Sequence, residues 1–474
     1  MIIGAGASGL MAAIHAARGG ASVTVLEHMP EAGKKLLMTG NGKCNYTNTE
    51  TSLSHYHSLT DEKGTFISEV LSGFTPRETI EFFREIGIVP RVRSYGYDEG
   101  GYVYPASGEA RSVREALLSE ADAANVKIVT DCRTRSVMRI KNKEGRPFYR
   151  VDTTEGIFSA ESLIFAGGAA AFPKTGSDGR GYELAAAFGH MVWQFLPALC
   201  ALRCVGSFFK DLKGVRTLCA LRLEIAPPER SIAEERAAEH RESEADHFGF
   251  LRDSLLKGPY ECRGEVQFTD YGLSGIPAFQ LSRYAALAVK LRRERYIVLD
   301  LVPDMTEDAL LSELQMRRER FADRTIEHFL NGLLPEKLAR VVLARLKLRR
   351  ETGIYLLEDE TLLRICSFMK GWRIGVLDTN GFDSCQCCAG GVDTREIDPK
   401  TMESRLMEEL FFAGELVDVD ADCGGYNLQW AWSSGAVAGR AAAKIRRYGS
   451  YPDKFSTNAE GGHDKNQSDK NTDL

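Results

Sequence analysis

The chain has 474 residues, 43% of them apolar, and a formal net charge of -6. That is enough apolar material for two or three packed domains, and the charge balance offers neither a nucleic-acid stripe nor a basic membrane-binding face. No apolar run approaches the roughly 20 residues of a bilayer span and the start lacks the order of a signal peptide, so a cytoplasmic location is expected.

In chain order, "MIIGAGASGLMAAIHAARGGASVTVLE" reads as strand, glycine turn, helix and strand within about 30 residues. Leu10, Ile14 and Ala17 share one helical face, and "SVTVLE" is a β-branched run ending in Glu27. Only Met1, Ile2 and Ile3 precede Gly4, fewer than the five or so residues usual for a strand, so the natural strand is expected to begin earlier. Next comes "MTGNGKCNYTN", residues 38–48, too polar for a core. Its Cys44 is open to three readings: a nucleophile, a metal ligand, or a loop residue beside something else.

Residues 73–87 read as an amphipathic helix, "VKIVTD" and "SLIFAGG" as buried strands, and "GYELAAAFGH" as a short helix. This alternation predicts a parallel sheet. Gly167 and Gly168, after Ala166, end the second of those strands ahead of a Gly-Ser-Asp-Gly loop. After about residue 197 the segments shorten and alternate, as in "TLCALRLEI" and "GEVQFTD", which predicts an antiparallel unit. A charged excursion around residues 233–247 reads as a surface insertion, and residues 304–351 read as helical, including the basic "LARVVLARLKLRRE". A solvated amphipathic face is the ordinary account of those basic residues.

The 11 cysteines are odd in number and follow no framework spacing; Cys385, Cys387 and Cys388 cluster, but no second pair or nearby His completes a zinc site, so no metal is expected. From about residue 391 the glycine-rich αβ character returns, and residues 451–474 are polar enough for a disordered tail. The division read from this is a dinucleotide-binding domain made of residues 1–196 and 371–450, interrupted by an inserted domain, 197–370, that is β-rich and then helical.

Gly4, Gly6 and Gly9 form a GxGxxG turn. Gly4 permits the tight bend, Gly6 lets backbone approach a pyrophosphate, and Gly9 lets helix and sheet pack closely. The helix N-terminus offers free N–H groups to phosphates, and Glu27 stands where a ribose hydroxyl would bind. The motif does not separate NAD from FAD. The remote segment "LFFAGELVDVDADCGGYNLQWAWSSG" favours FAD, because Gly424 and Gly425 open a second helix whose N-terminus would stabilise negative charge on a reduced flavin ring.

The stretches "GAGASGLMAAI", "GKKLLMTGNGKCNYTN", "GGYVYPASGEARSVREAL", "GGAAAFPKTGSDGRGYELA", "GEVQFTDYGLSGIPAFQLSR" and "TMESRLMEELFFAGELVDVDADCGGYNLQWAWSSG" occur in order along the whole chain. On these the chain resembles the bacterial flavoproteins of the BaiN-like and aminoacetone-oxidase type. The resemblance implies an α/β fold, a Rossmann-like FAD-binding domain with an inserted, mainly β domain plus a helical segment. Its implied cofactor-binding residues are Gly4, Gly6 and Gly9 with Glu27 for the ADP half, and Ala7, Ser8 and Lys35 besides. Gly40, Gly42, Cys44 and Asn45, with Gly424, Gly425, Tyr426, Asn427 and Leu428, are implied for the flavin half. Gly414 and Glu415 are implied beside the ribityl and pyrophosphate, and Ala166, Gly167 and Gly168 are expected where the chain crosses near the cofactor. Within the 38–48 loop, Gly40 and Gly42 then allow close backbone approach, Asn45 and Asn48 supply amide hydrogen bonds, and Cys44 becomes a small neighbour of the flavin. In "SCQCCAGGV" thiols stand where the family pattern implies hydroxyl or small apolar residues, pointing either to buried packing or to redox sensitivity.

The activity implied is hydride transfer between flavin and a small organic substrate, an NAD(P)H-linked reduction of an enone, with an oxygen-using amine oxidase as the alternative. No second GxGxxG is visible, so NAD(P)H would bind transiently as reductant, and Cys44 has no partner for disulfide-reductase chemistry. Acid–base candidates are Tyr104, His190, Asp270, Tyr271 and Tyr426, with Tyr271, Tyr426 and Cys44 the catalytic candidates. Each has a plain reading too: half-buried packing for the tyrosines, a helix-terminal surface site for His190, a turn or cap for Asp270. The expected partner is a small molecule, with neither membrane nor nucleic acid; a flavoprotein acting on tRNA is the competing class, for which only the basic helix speaks.

Overall fold

The computed structural model of the protein describes residues 1–95, 98–226, 258 and 260–444. The charged excursion and the expected disordered tail lie outside them. The αβ alternation resolves as a five-stranded parallel sheet in the order Leu410–Phe412, Leu163–Phe165, Ile2–Ile3, Thr24–Leu26 and Lys127–Val129. The two-residue strand Ile2–Ile3 lies in the middle, with Ile2 opposite both Ile164 and Val25. Neighbours on both sides satisfy its backbone, so the sheet sustains a strand too short to stand alone. Both ends of the chain contribute to this one sheet.

The helices Ala7–Arg18 and Tyr426–Ala442 cross closely. A Cβ on Gly435 would lie 2.5 Å from the Ser8 carbonyl oxygen, and one on Gly439 2.3 Å from that of Ala12. Glycine at this i, i+4 spacing is therefore what lets the backbones touch, the first turns of one helix against the middle of the other. Two features were not foreseen. Residues 73–87 hold the end of one helix, Thr65–Gly73, and a second, Pro76–Glu85. The break falls where Thr75 and Glu78 form a capping box ahead of Pro76 at the first helical position. An antiparallel meander, Thr134–Lys141, Pro147–Thr153 and Gly156–Ala160, also joins the third and fourth segments of the parallel unit.

The inserted unit is a closed antiparallel barrel in the strand order Leu202–Cys204, Gly272–Ser274, Tyr260–Phe268, Arg216–Ile225, Arg295–Asp300, Trp372–Thr379. Closure removes the exposed edges that short strands would otherwise present. Its interior is apolar, with Leu221, Phe268, Ile297 and Leu299 buried. Helix Ile276–Lys290 packs against the barrel, and Glu307–Arg320, Glu336–Arg345 and Asp359–Lys370 complete the unit. In Glu336–Arg345 the apolar face is buried, while Arg340 pairs with Glu336 and Glu327, which accounts for much of the basic pattern as a solvated face. The two chain crossings between the units, Leu196–Ala198 and Cys387–Ala389, pair antiparallel with each other. No helix among the described residues is long and apolar enough to cross a membrane.

Candidate functional site

The first glycine turn has the geometry its residues imply. Gly4 has φ +102°, and a Cβ there would lie 2.4 Å from the Ala166 carbonyl oxygen; one on Gly9 would lie 1.9 Å from that of Gly4. Gly6 differs, because a Cβ there would meet nothing within 4 Å. Gly6 therefore faces open space at the N-terminus of Ala7–Arg18, an end with no side-chain cap and no acid in its first turn. Unsatisfied N–H groups next to open space suit a phosphate. Glu27 is buried beside the turn, its Oε2 accepting from the Ala5 N–H and its Oε1 from the Met29 N–H, each at 2.8 Å.

Gly414 is drawn to the same place: a Cβ on it would lie 2.4 Å from the Ser8 hydroxyl oxygen. The Gly414 N–H donates to Ser434 Oγ at 2.9 Å, and its carbonyl accepts from Trp430 Nε1 at 3.0 Å, so the last helix holds it. Lys35 and Glu415 form an ion pair at 2.7 Å. Burial opposes the ammonium's charge, but the Glu415 carboxylate outweighs it and holds the Lys35 pKa above its ordinary value. Ala166 and Gly167 abut Gly4, and Gly168 has φ +74° against Ser177.

The second glycine turn meets the 38–48 loop. A Cβ on Gly425, φ +94°, would lie 2.6 Å from the Thr47 carbonyl oxygen and 2.9 Å from Asn45 Oδ1, while Asn48 Nδ2 donates to the Gly424 carbonyl at 3.1 Å. Asn427 braces the approach to this turn, accepting from the Ala421 N–H and donating to the Ala421 carbonyl. Leu428 packs against the core. Asn45 Oδ1 is buried and has no hydrogen-bond partner, so it is free to accept from a ligand. In the loop, Gly40, Asn41, Gly42 and Cys44 all have φ between 53° and 80°, a left-handed run that glycine and asparagine favour. The loop also approaches Tyr104, whose ring would be 3.5 Å from a Cβ on Gly40.

Cys44 is fully buried, and burial pushes its thiol up to about 12, with a hydrogen bond to Thr39 opposing. A thiol so held supplies no thiolate near neutral pH, which favours the packing role over the nucleophile. Cys385, Cys387 and Cys388 are buried as well, and the Cys385 thiol donates to the Phe382 carbonyl at 3.5 Å. Among the described residues no group of three or more His, Cys, Asp or Glu is arranged to hold a metal ion.

The acid–base candidates separate. Tyr426 is buried at the second turn and stacks on His55, ring centroids 4.2 Å apart and 10° from parallel. Tyr271 stays with the barrel: its hydroxyl accepts from Asn380 Nδ2 at 3.4 Å and Arg203 lies 6.0 Å over its ring. Asp270 is exposed and paired with Lys213. The surface reading of His190 is corrected, since its ring is buried between Glu396 at 3.0 Å and Ser404 at 2.8 Å, and burial pushes its pKa down to about 4. It is a structural residue.

Sequence reasoning missed a polar cluster beside the second turn. His55 and His57 both meet Asp422, and Arg283 from the barrel helix Ile276–Lys290 meets Asp420 at 3.0 Å. Its signal was present as "HYH" and "DAD", two period-2 repeats that put like residues on one face of paired strands.

Comparison with known proteins agrees with this geometry. Residues 1–441 match the family described as HI0933-like protein Rossmann domain. The 3-dehydro-bile acid delta(4,6)-reductase of Clostridium scindens is 38% identical, over 94% of this chain and 98% of its own. The ribosomal RNA dihydrouridine synthases of Haemophilus influenzae and Escherichia coli are 30% and 27% identical, each over 92% of this chain and over 96% and 95% of their own. With its parallel dinucleotide sheet, its two glycine turns and this match along nearly its whole length, the chain belongs to the HI0933-like family and is an FAD-dependent oxidoreductase.

Proposed function

We propose that the protein is a reductase of a carbon–carbon double bond conjugated to a carbonyl, with FAD held between the two glycine turns and NAD(P)H as transient reductant. The observation that carries the substrate class is the 38% identity, across 94% of the chain, to a reductase of 3-dehydro bile acids. When bound, FAD supplies the hydride-transfer chemistry. The chain's own residues supply position. Gly4 makes the turn, its own N–H donating to the Leu26 carbonyl, and Gly6, Ala7, Ser8 and Gly9 at the helix start offer backbone N–H groups to the pyrophosphate, while Glu27 offers a carboxylate to ribose hydroxyls. Gly414 sits against Ser8 at the start of the first helix and is held by Ser434 and Trp430 of the last, and the Lys35–Glu415 pair closes the site between chain ends. Gly424, Gly425 and the 38–48 loop leave Asn45 Oδ1 to accept from a ring N–H.

A second reading has its own observation, the 30% and 27% identity to ribosomal RNA dihydrouridine synthases. Saturating the C5–C6 bond of uridine is also reduction of a double bond conjugated to a carbonyl, so the same site chemistry would serve a far larger substrate. Incubating the FAD-loaded protein and NAD(P)H with a 3-oxo-4,6-diene bile acid, with unmodified ribosomal RNA, and with aminoacetone in air separates the cases. Reduction of the bile acid alone supports the main reading; dihydrouridine in the RNA supports the second; oxygen consumption with aminoacetone and no reduction of either would sink both.

A further inference from the structure

The ribbon of Tyr56–His57 and Asp420–Ala421 sets His57 opposite Asp420. His55 Nδ1 lies 3.3 Å from Asp422 Oδ2, and His57 Nε2 lies 3.0 Å from Asp422 Oδ1. One carboxylate thus fixes both imidazoles, and among the described residues neither His55 Nε2 nor His57 Nδ1 takes a hydrogen bond. On the neighbouring Asp420, Arg283 Nη2 forms an ion pair at 3.0 Å. Arg283 is 9% exposed, yet its Nε has no hydrogen-bond partner. A buried guanidinium N–H left without an acceptor is costly unless a ligand supplies one.

The surroundings are aromatic. His57 meets the Tyr284 ring edge-on at 6.5 Å, Tyr284 stacks on Tyr260 at 3.8 Å, and His55 lies flat on Tyr426 at the start of the last helix. The cluster therefore reaches from the second glycine turn to the barrel helix. It is open to solvent, with side-chain exposures of 33% for His55, 19% for His57 and 23% for Asp422.

We propose that this cluster binds and protonates the conjugated carbonyl substrate: Arg283 donates to the carbonyl oxygen, and His57 delivers a proton to carbon while Asp422 and His55 position it. The assignment rests on the enone-reductase reading above. In that reduction the carbon β to the carbonyl takes a hydride from the reduced cofactor, and the π pair moves onto the carbonyl oxygen, where Arg283 Nε–H stabilises it. As the carbonyl reforms, the α carbon takes one proton from the His57 imidazolium, leaving a neutral imidazole that solvent reprotonates. Two electrons and two hydrogens are thereby added to the double bond. Imidazole suits the task because one ring nitrogen can face the substrate while Asp422 holds the other.

The test separates the two half-reactions of the FAD-loaded enzyme. Protein reduced anaerobically with dithionite is mixed with a 3-oxo-4-ene steroid or with ferricyanide, and flavin absorbance reports reoxidation. His57→Gln should keep its FAD and its ferricyanide rate but react with the enone about 100-fold more slowly. Arg283→Lys should weaken binding of the saturated 3-oxo product to oxidised enzyme, measured by calorimetry, by about tenfold, while His57→Gln leaves it within about twofold. Should His57→Gln lose its FAD, Asp422→Asn carries the kinetic test, with an expected slowing of about tenfold. Enone reoxidation of these variants at the wild-type rate, or unchanged product binding in Arg283→Lys, overturns the assignment alone. Wild-type enzyme that no enone reoxidises overturns the substrate reading and this assignment with it.

Discussion

Two glycines of one motif should fail in opposite ways when given a methyl group. At Gly9 the ideal Cβ lies 1.9 Å from the Gly4 carbonyl oxygen and 3.0 Å from its carbon, all backbone. Ordinary contact would require the helix to retreat by about 1.5 Å from a close-packed sheet. Alanine gains about 1 kcal/mol in helix propensity, whereas such overpacking costs about 1–3 kcal/mol even where side chains can yield. Backbone cannot, so the cost falls at or above the top of that range and Gly9→Ala should be destabilised by at least about 2 kcal/mol net, read as a lower urea midpoint at unchanged slope. Gly6 has φ -77° and ψ -168°, open to any residue, and its Cβ would meet nothing. Gly6→Ala should unfold within about 0.5 kcal/mol of wild type but bind FAD at least about tenfold more weakly, a loss of about 1.4 kcal/mol. The assay is urea denaturation of apo-protein beside a fluorescence titration with FAD. A Gly6→Ala protein with wild-type FAD affinity would refute the assignment of that open face to the pyrophosphate, and a fully stable Gly9→Ala protein would refute the packing argument.

Other residues give independent checks. Glu27→Gln turns one carboxylate oxygen into a donor facing the N–H of Ala5 or Met29, so it should cost about 1–3 kcal/mol in urea melts and weaken FAD binding. Cys44 should resist thiol reagents at pH 8 until the protein unfolds, and Cys44→Ser should retain most activity and nearly the wild-type flavin spectrum; loss of nearly all activity would restore the nucleophile reading. For Asp422, burial acts to raise the pKa, but hydrogen bonds from His55 and His57 outweigh it and bring it down to about 2. A folded pKa below the ordinary value near 3.8 gives stability that is present above pH 4 and lost as pH falls through about 2. Between pH 5 and 2 the wild type should therefore lose on the order of 2 kcal/mol more than Asp422→Asn, measured by urea melts at each pH.

Much of the dinucleotide unit was legible because its signals are local. GxGxxG, the acid after the second strand and the glycine pair before the last helix each carry their mechanism within a few residues. The tightly packed Gly435 and Gly439 were visible as letters but not as the reason two distant helices touch. The His55, His57, Asp422 and Arg283 cluster was harder to see, because three segments more than 130 residues apart build it and only folding sets His57 opposite Asp420. Barrel closure depends on pairing of strand Leu202–Cys204 with Trp372–Thr379, a long-range contact that alternation cannot report. His190 was misjudged because a helix-terminal position says nothing about the loop, residues 396–404, that buries it.

The most direct measurement is the absorbance spectrum of the purified protein, followed anaerobically through addition of NADH or NADPH and then of a 3-oxo-4,6-diene bile acid. An oxidised flavin band that bleaches with the nicotinamide and returns with the enone is the expected result, and the released cofactor should be FAD. A protein that takes up no FAD, or a reduced flavin that the enone leaves bleached, would contradict the account.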